Sequence, residues 1–171
     1  MPIMTTAGSG NQGISCTVAA TALAQRLGKS DEELARALVL SDLITIHIKS
    51  YMSRLSPLCG SAIAGGTGSC CALVYLMGGN LHQVECAIQS MLANHMGMIC
   101  DGAKTTCALK IATGIQSAVL CATLAMQGIS PCEKEGIVCC DVEKTIRGVG
   151  RLANEGVADL DPTILDVMLS K

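Results

Sequence analysis

Leu58-Cys59-Gly60-Ser61-Ala62-Ile63-Ala64-Gly65-Gly66-Thr67-Gly68-Ser69-Cys70-Cys71-Ala72-Leu73-Val74-Tyr75-Leu76-Met77 contains no charged residue, and its small residues Gly60, Ala64 and Gly68 recur every four positions. Residues four apart share a helical face, so this spacing predicts a helix with one smooth side that a neighbouring helix can approach closely. Pro57 stops the preceding segment and suits the first turn of this one, where a missing amide costs nothing. Gly65 and Gly66 mark a place where the helix breaks or kinks. Cys70 and Cys71 are adjacent and face different sides, where reduced thiols act as small hydrophobes that fill a core. A helix apolar on every side belongs inside a larger helical assembly.

The rest of the composition agrees. Half of the 171 residues are hydrophobic, yet there is no Phe, no Trp and only 2 Tyr, and there are 18 Gly. Ala, Leu, Ile, Val, Met and Cys must build the core, and the alternating β-branched and aromatic runs that strands favour are missing. The expected fold is all-α, a bundle of about six tightly packed Gly/Ala-rich helices, with residues 1–171 forming one domain. A net charge of −2 and a pI near 5.9 supply no basic stripe. With so few aromatic rings, nucleic acid is not an expected partner.

The 11 Cys are an odd number with no signal peptide before them, which points to reduced thiols and a cytoplasmic location. Leu55 to Leu81 and Ile111 to Cys132 carry no formal charge and are long enough to span a bilayer. Both are broken by Gly and small polar residues and lack aromatic or basic anchors, so they are expected as buried helices rather than membrane spans.

Helices are predicted over about Ile14–Leu27, from Ser30 to about Leu55, Leu58–Met77, Asn80–Met96, Thr106–Gln127, Val142–Asn154 and from Asp161 to about Leu169. Ser30 with Glu33 forms a capping box, Asn80 is an N-cap and Gly97 a C-cap. Ala7-Gly8-Ser9-Gly10-Asn11-Gln12-Gly13 reads as an irregular turn before the first helix. Its backbone amides suit an anion such as a carboxylate, and it serves equally as a flexible leader. No Gly-Lys-Ser/Thr follows, so it is not a phosphate loop. His47 and Tyr51, on the long second helix, read as satisfied structural groups.

Met96-Gly97-Met98-Ile99-Cys100-Asp101-Gly102-Ala103-Lys104-Thr105-Thr106-Cys107 is the stretch that carries chemistry. Cys107 lies seven residues after Cys100, and Cys59 at the start of an apolar helix can reach the same point. Thiolate is favoured at such a helix start. Three thiolates at three element ends suit a metal or iron–sulfur site, although the close Cys pairs of zinc knuckles and ferredoxins are absent. Asp101 and Lys104 also suit a salt bridge that pins a turn. Cys139 and Cys140 read as surface thiols.

Gly8-Ser9-Gly10-Asn11-Gln12-Gly13, Leu58-Cys59-Gly60-Ser61-Ala62-Ile63-Ala64 and Gly97-Met98-Ile99-Cys100-Asp101-Gly102-Ala103-Lys104 with Cys107 resemble the iron–sulfur L-serine dehydratase alpha-domain superfamily. The likeness is greatest to its L-cysteine desulfidase-like (UPF0597) branch, and it covers the whole chain. The separation of Cys59, Cys100 and Cys107 is similar to that of the family's three cluster cysteines. The resemblance implies a [4Fe-4S] cluster held by Cys59, Cys100 and Cys107, with one iron left open for the leaving group. It further implies a β-elimination without pyridoxal phosphate, turning L-cysteine or L-serine into pyruvate and ammonia with release of sulfide or water. Ser9, Gly10, Asn11, Gln12 and Gly13 are then the substrate-binding segment, and Asp101 and Lys104 are secondary site residues.

Lys104, taken as the only Lys at the site, is expected to balance cluster charge, and Gly102-Ala103-Lys104 resembles the desulfidase branch more than the serine branch. The resemblance does not assign a general base. Because the chain begins close to the glycine-rich turn, it resembles only the C-terminal part of the family's chain. The expected partners are a small amino-acid substrate and a missing N-terminal half or partner subunit. Cys70, Cys71, Cys86, Cys121, Cys139 and Cys140 exceed what the family leads one to expect. The alternatives are a non-catalytic helical fragment or subunit of such an enzyme, and a thiol-rich metal-binding or redox protein.

Overall fold

The computed structural model describes residues 3–132 and 134–170. They form seven α-helices and two π-helical turns: α1 Gly10–Arg26, α2 Asp31–Met52, a π turn Ser61–Gly65, α3 Gly66–Leu76, α4 Leu81–His95, α5 Cys107–Met126, α6 Val142–Arg151, a π turn Leu152–Gly156, and α7 Leu160–Leu169. No strand occurs among the described residues, only isolated antiparallel bridges at Thr6–Ser9 and Leu58–Ile99. The all-α expectation holds.

The uncharged run Leu58–Met77 is the centre of the bundle. α3 packs against α1, α2, α4 and α5, and every residue from Gly66 to Val74 is buried. The absence of side chains at its glycines allows this. A Cβ at Gly68 would lie 2.3 Å from both the Ser41 carbonyl and Thr45 Oγ1, and one at Gly65 would lie 2.8 Å from Ser15 Cβ. Gly65–Gly66 is where the π turn gives way to the α-helix. Cys70, Cys86 and Cys121 fill one core with Val74, Met91 and Ala118, while Cys71 joins Ile48, Met52, Ile63, Leu92 and Ile146 in a second. Burial pushes the Cys71 thiol up to about 12 and that of Cys70 well above the ordinary cysteine range, so both stay protonated and act as packing groups.

The caps fall where the sequence puts them. Ser30 and Glu33 complete a capping box at α2, as do Asn80 and Gln83 at α4, each worth about 1 kcal/mol. His47 Nε2 meets both Glu143 oxygens at 2.9 Å and ties α2 to α6, in keeping with its structural reading. The glycine that turns the loop after α4 through positive φ is Gly102, at 92°, while Met96 is the C-cap in place of Gly97.

Two expectations need correction. α1 begins at Gly10, four residues before the predicted start, so Gly10–Gly13 form its first turn and are not irregular. The turn itself is Ala7–Gly8, with φ of 49° and 85°, closed by reciprocal amide–carbonyl bonds between Thr6 and Ser9. Gly13 is small for a different reason: a Cβ there would lie 1.9 Å from the Met4 carbonyl oxygen. The apolar α5 is also not a buried helix. Only 22% of its most apolar window is buried, and by length and composition alone it could cross a membrane. Leu109, Ala112, Gln116, Val119, Leu120 and Thr123 form an exposed face spaced at helical period.

Candidate active site

Three segments converge on one cavity of about 500 Å3. The first is the start of α1, where the Ser9 side chain accepts from the Gln12 amide and the Ser9 carbonyl accepts from Gly13. Gly10 and Asn11 are left with amides that have no intrahelical acceptor. Ser9, Asn11 and Gln12 line the cavity. Gly10 and Gly13 support that helix start from behind. Gln12 is 5% exposed, and its Oε1 is buried without a hydrogen-bond partner.

The second and third segments are joined by backbone. The Cys59 amide donates to the Met98 carbonyl at 2.8 Å, and the Cys100 amide to the Pro57 carbonyl at 2.7 Å. These bonds flank the Leu58–Ile99 pair. Side chains alternate along a strand, so Leu58 faces the core while Cys59 and Cys100 share the opposite side, diagonal to each other. Both line the cavity, as does Cys107, the first residue of α5. The Lys104 amide donates to Cys107 Sγ at 3.4 Å, which seats that thiol against the loop.

The three thiols are reduced and unpaired. Among the described residues, no group of three or more His, Cys, Asp or Glu is gathered closely enough for one metal ion. A multi-iron cluster spreads its thiolates over several metal corners, and three separated thiols around one cavity fit that donor pattern.

Asp101 and Lys104 do not line the cavity. They pair with each other, and Lys110 also meets Asp101 Oδ1 at 2.7 Å while donating to the Ile99 carbonyl at 2.8 Å. This is the salt bridge that pins a turn, with α5 added as its anchor. Lys104 is therefore not the only Lys at the site: Lys49 and Lys110 line the cavity and Lys104 does not. Lys49 projects from α2, is 6% exposed, and donates to the Arg54 carbonyl at 3.2 Å. Burial lowers its pKa, against an opposing effect of Cys100 and Cys59. In sequence it stood among His47, Tyr51 and Arg54 with nothing to mark it. The signal that could have found it is a lysine on the apolar face of a core helix.

Of the other cysteines, Cys16, Cys70, Cys71, Cys86 and Cys121 are buried in the helical core, Cys139 is partly buried, and Cys132 and Cys140 are exposed. None of them lines the cavity.

The family model described as serine dehydratase alpha chain matches residues 1–166. A protein named UPF0597 protein from Clostridium perfringens is 57% identical over 171 residues, covering 100% of this chain and 40% of its own length. UPF0597 proteins from Oleidesulfovibrio alaskensis and Bacteroides thetaiotaomicron are each 48% identical, again over 100% of this chain and 40% of their own. The chain thus spans 40% of the length of these curated relatives. No solved structure matches it.

Proposed function

Because the chain belongs to the serine dehydratase alpha chain family, we propose that it is the cluster-binding portion of a β-eliminating lyase acting on L-cysteine or L-serine without pyridoxal phosphate. The observation that carries this reading is the convergence of Cys59, Cys100 and Cys107 with the α1 start on one cavity. Residues 1–171 act as one helical domain corresponding to the C-terminal part of the family's longer chain, in a reducing cytoplasm where its eleven cysteines remain free.

Cys59, Cys100 and Cys107 would hold a [4Fe-4S] cluster. When bound, the cluster supplies an open iron as a Lewis acid for the departing hydrosulfide or hydroxide. The protein's own residues do the rest. The α1 start takes the substrate carboxylate on the Asn11 amide, where the helix dipole favours an anion. The Asp101–Lys110 bridge fixes the loop that carries Cys100 to the start of α5. The core behind the cavity, built from Leu58, Ile63 and Leu92, excludes water from one side of the substrate. L-cysteine is the favoured substrate, from the likeness of Gly102-Ala103-Lys104 to the desulfidase branch.

A second reading, a helical subunit that needs further polypeptide for turnover, draws on the relatives' greater length. The exposed α5 face carries no charge from Leu109 to Thr123 apart from Lys110 at its cavity end. The additional chain of the longer relatives would cover such a face and reach the cavity alongside Cys107. Anaerobic purification with iron and sulfide analysis, followed by a pyruvate and sulfide assay on L-cysteine, tests both. Iron, sulfide and turnover support the lyase. Iron and sulfide without turnover support the subunit. A protein that takes up neither after reconstitution contradicts both.

A further inference from the structure

Lys49 and Gln12 come from different helices and meet over Gly60. A Cβ at Gly60 would lie 3.2 Å from Gln12 Nε2 and 3.4 Å from Lys49 Cδ. The glycine therefore leaves room for both side chains to extend side by side into the cavity they line. Each has an unmet requirement. Gln12 Oε1 is a buried acceptor with no donor, an arrangement that proteins avoid unless something else supplies one. Lys49 is nearly buried and has no carboxylate partner among the described residues, and its one protein acceptor is the Arg54 carbonyl. An ammonium has three donors, so two of them are available. By contrast, Asp101 already pairs with Lys104 and Lys110.

A buried cation beside a buried, unsatisfied acceptor has the opposite arrangement of charge to an α-amino acid, which carries a carboxylate and an ammonium on one carbon. We propose that Lys49 Nζ binds the substrate carboxylate and that Gln12 Oε1 accepts from the substrate α-ammonium, so that the pair selects a zwitterion. This rests on the lyase reading for the identity of the ligand. It adds the two side chains that tell an amino acid from an acid or an amine. A ligand lacking either charge leaves one of the two buried groups unpaired, and such loss discriminates strongly between otherwise similar ligands.

The test is calorimetric titration of the iron-free chain under anaerobic conditions, so that its outcome is independent of cluster assembly and turnover. L-Alanine, which has both charges and no leaving group, is the probe. Propionate lacks the ammonium and ethylamine lacks the carboxylate. The expected result is that L-alanine binds at least about tenfold tighter than either. Lys49→Met should weaken L-alanine and propionate together. Gln12→Leu should weaken L-alanine about tenfold while leaving propionate unchanged, a split that a general loss of structure would not produce. Lys49→Gln and Gln12→Glu serve as second variants where the first fail to fold, and Gln12→Glu should tighten ethylamine. The proposal is overturned if the wild-type chain does not bind L-alanine or does not prefer it over propionate and ethylamine. It is equally overturned if folded Lys49 variants bind L-alanine as the wild type does, or if Gln12→Leu weakens propionate as much as L-alanine.

Discussion

Cys59 and Cys100, far apart in sequence, sit diagonally on one side of a two-residue antiparallel bridge whose amides bond at 2.8 and 2.7 Å. Neither thiol depends on a flexible loop for its placement. Leu58 on the other side of the bridge is buried in the core with Ile63 and Leu92, which ties the bridge carrying both cysteines to the core. Rigid placement of this kind would preorganise the proposed cluster site before any metal arrives.

The loop salt bridge should govern how firmly the proposed cluster is retained. Asp101 is half-buried between Lys104 and Lys110, and Lys110 also holds the Ile99 carbonyl beside Cys100. A bridge this exposed is worth about 1 kcal/mol, so Asp101→Asn is expected to speed iron loss to a chelator about fivefold. Lys104→Met should have a smaller effect, because Lys110 still spans the loop. Absorbance decay in the presence of a chelator measures both, and equal rates in Asp101→Asn and wild type would contradict this role.

Close packing of α3 makes a second expectation. Alanine at Gly68 would force its methyl into the Ser41 carbonyl and the Thr45 hydroxyl, each 2.3 Å away. Overpacking of a rigid core costs about 1–3 kcal/mol, and backbone on one side leaves little room to relax. Urea denaturation of Gly68→Ala should show that loss. Alanine at Gly148, which has nothing within 4 Å, should leave stability nearly unchanged or raise it slightly.

Alkali should loosen the fold through its buried thiols. Burial raises Cys71 from 9.0 to about 12, and Cys16 from 9.0 to about 11 despite its bond to Thr45. A folded-state pKa above the unfolded value means that the folded state holds its proton more tightly. The stabilisation is therefore complete below pH 9 and is lost as pH rises through 11 and 12. The unfolding free energy measured by urea denaturation should fall across that window by an amount on the order of a few kcal/mol in total. Cys71→Ala should show a shallower fall than wild type, and an identical slope would remove Cys71 from the account.

Much of this architecture is legible in the chain. Ser30 and Asn80 announce their helices through local hydrogen-bond chemistry, and the four-residue spacing of Gly60, Ala64 and Gly68 announces the central helix. Cys70, Cys71, Cys86 and Cys121 are core residues as their apolar neighbours suggest. What escaped depends on tertiary contact. The helical start at Gly10 rests on Ser9 as its cap and on the approach of Met4 to Gly13, neither of which a count of glycines reveals. The Leu58–Ile99 bridge is too short to leave an alternating pattern. Lys49 becomes a site residue only once α2 is laid beside the Cys59 segment. The exposure of α5 departs from its core-like composition, and cover by the additional chain of the longer relatives, as proposed above, would account for it.

The most direct test of the account is bound iron, measured per chain after anaerobic reconstitution, in Cys59→Ser, Cys100→Ser, Cys107→Ser and, as the control, Cys70→Ser. All three cavity cysteines line one space and Cys70 lies in the opposite core. The account predicts loss of most of the iron in each of the first three and wild-type iron in the control. Iron retained in Cys59→Ser but lost in a folded Cys70→Ser would contradict it.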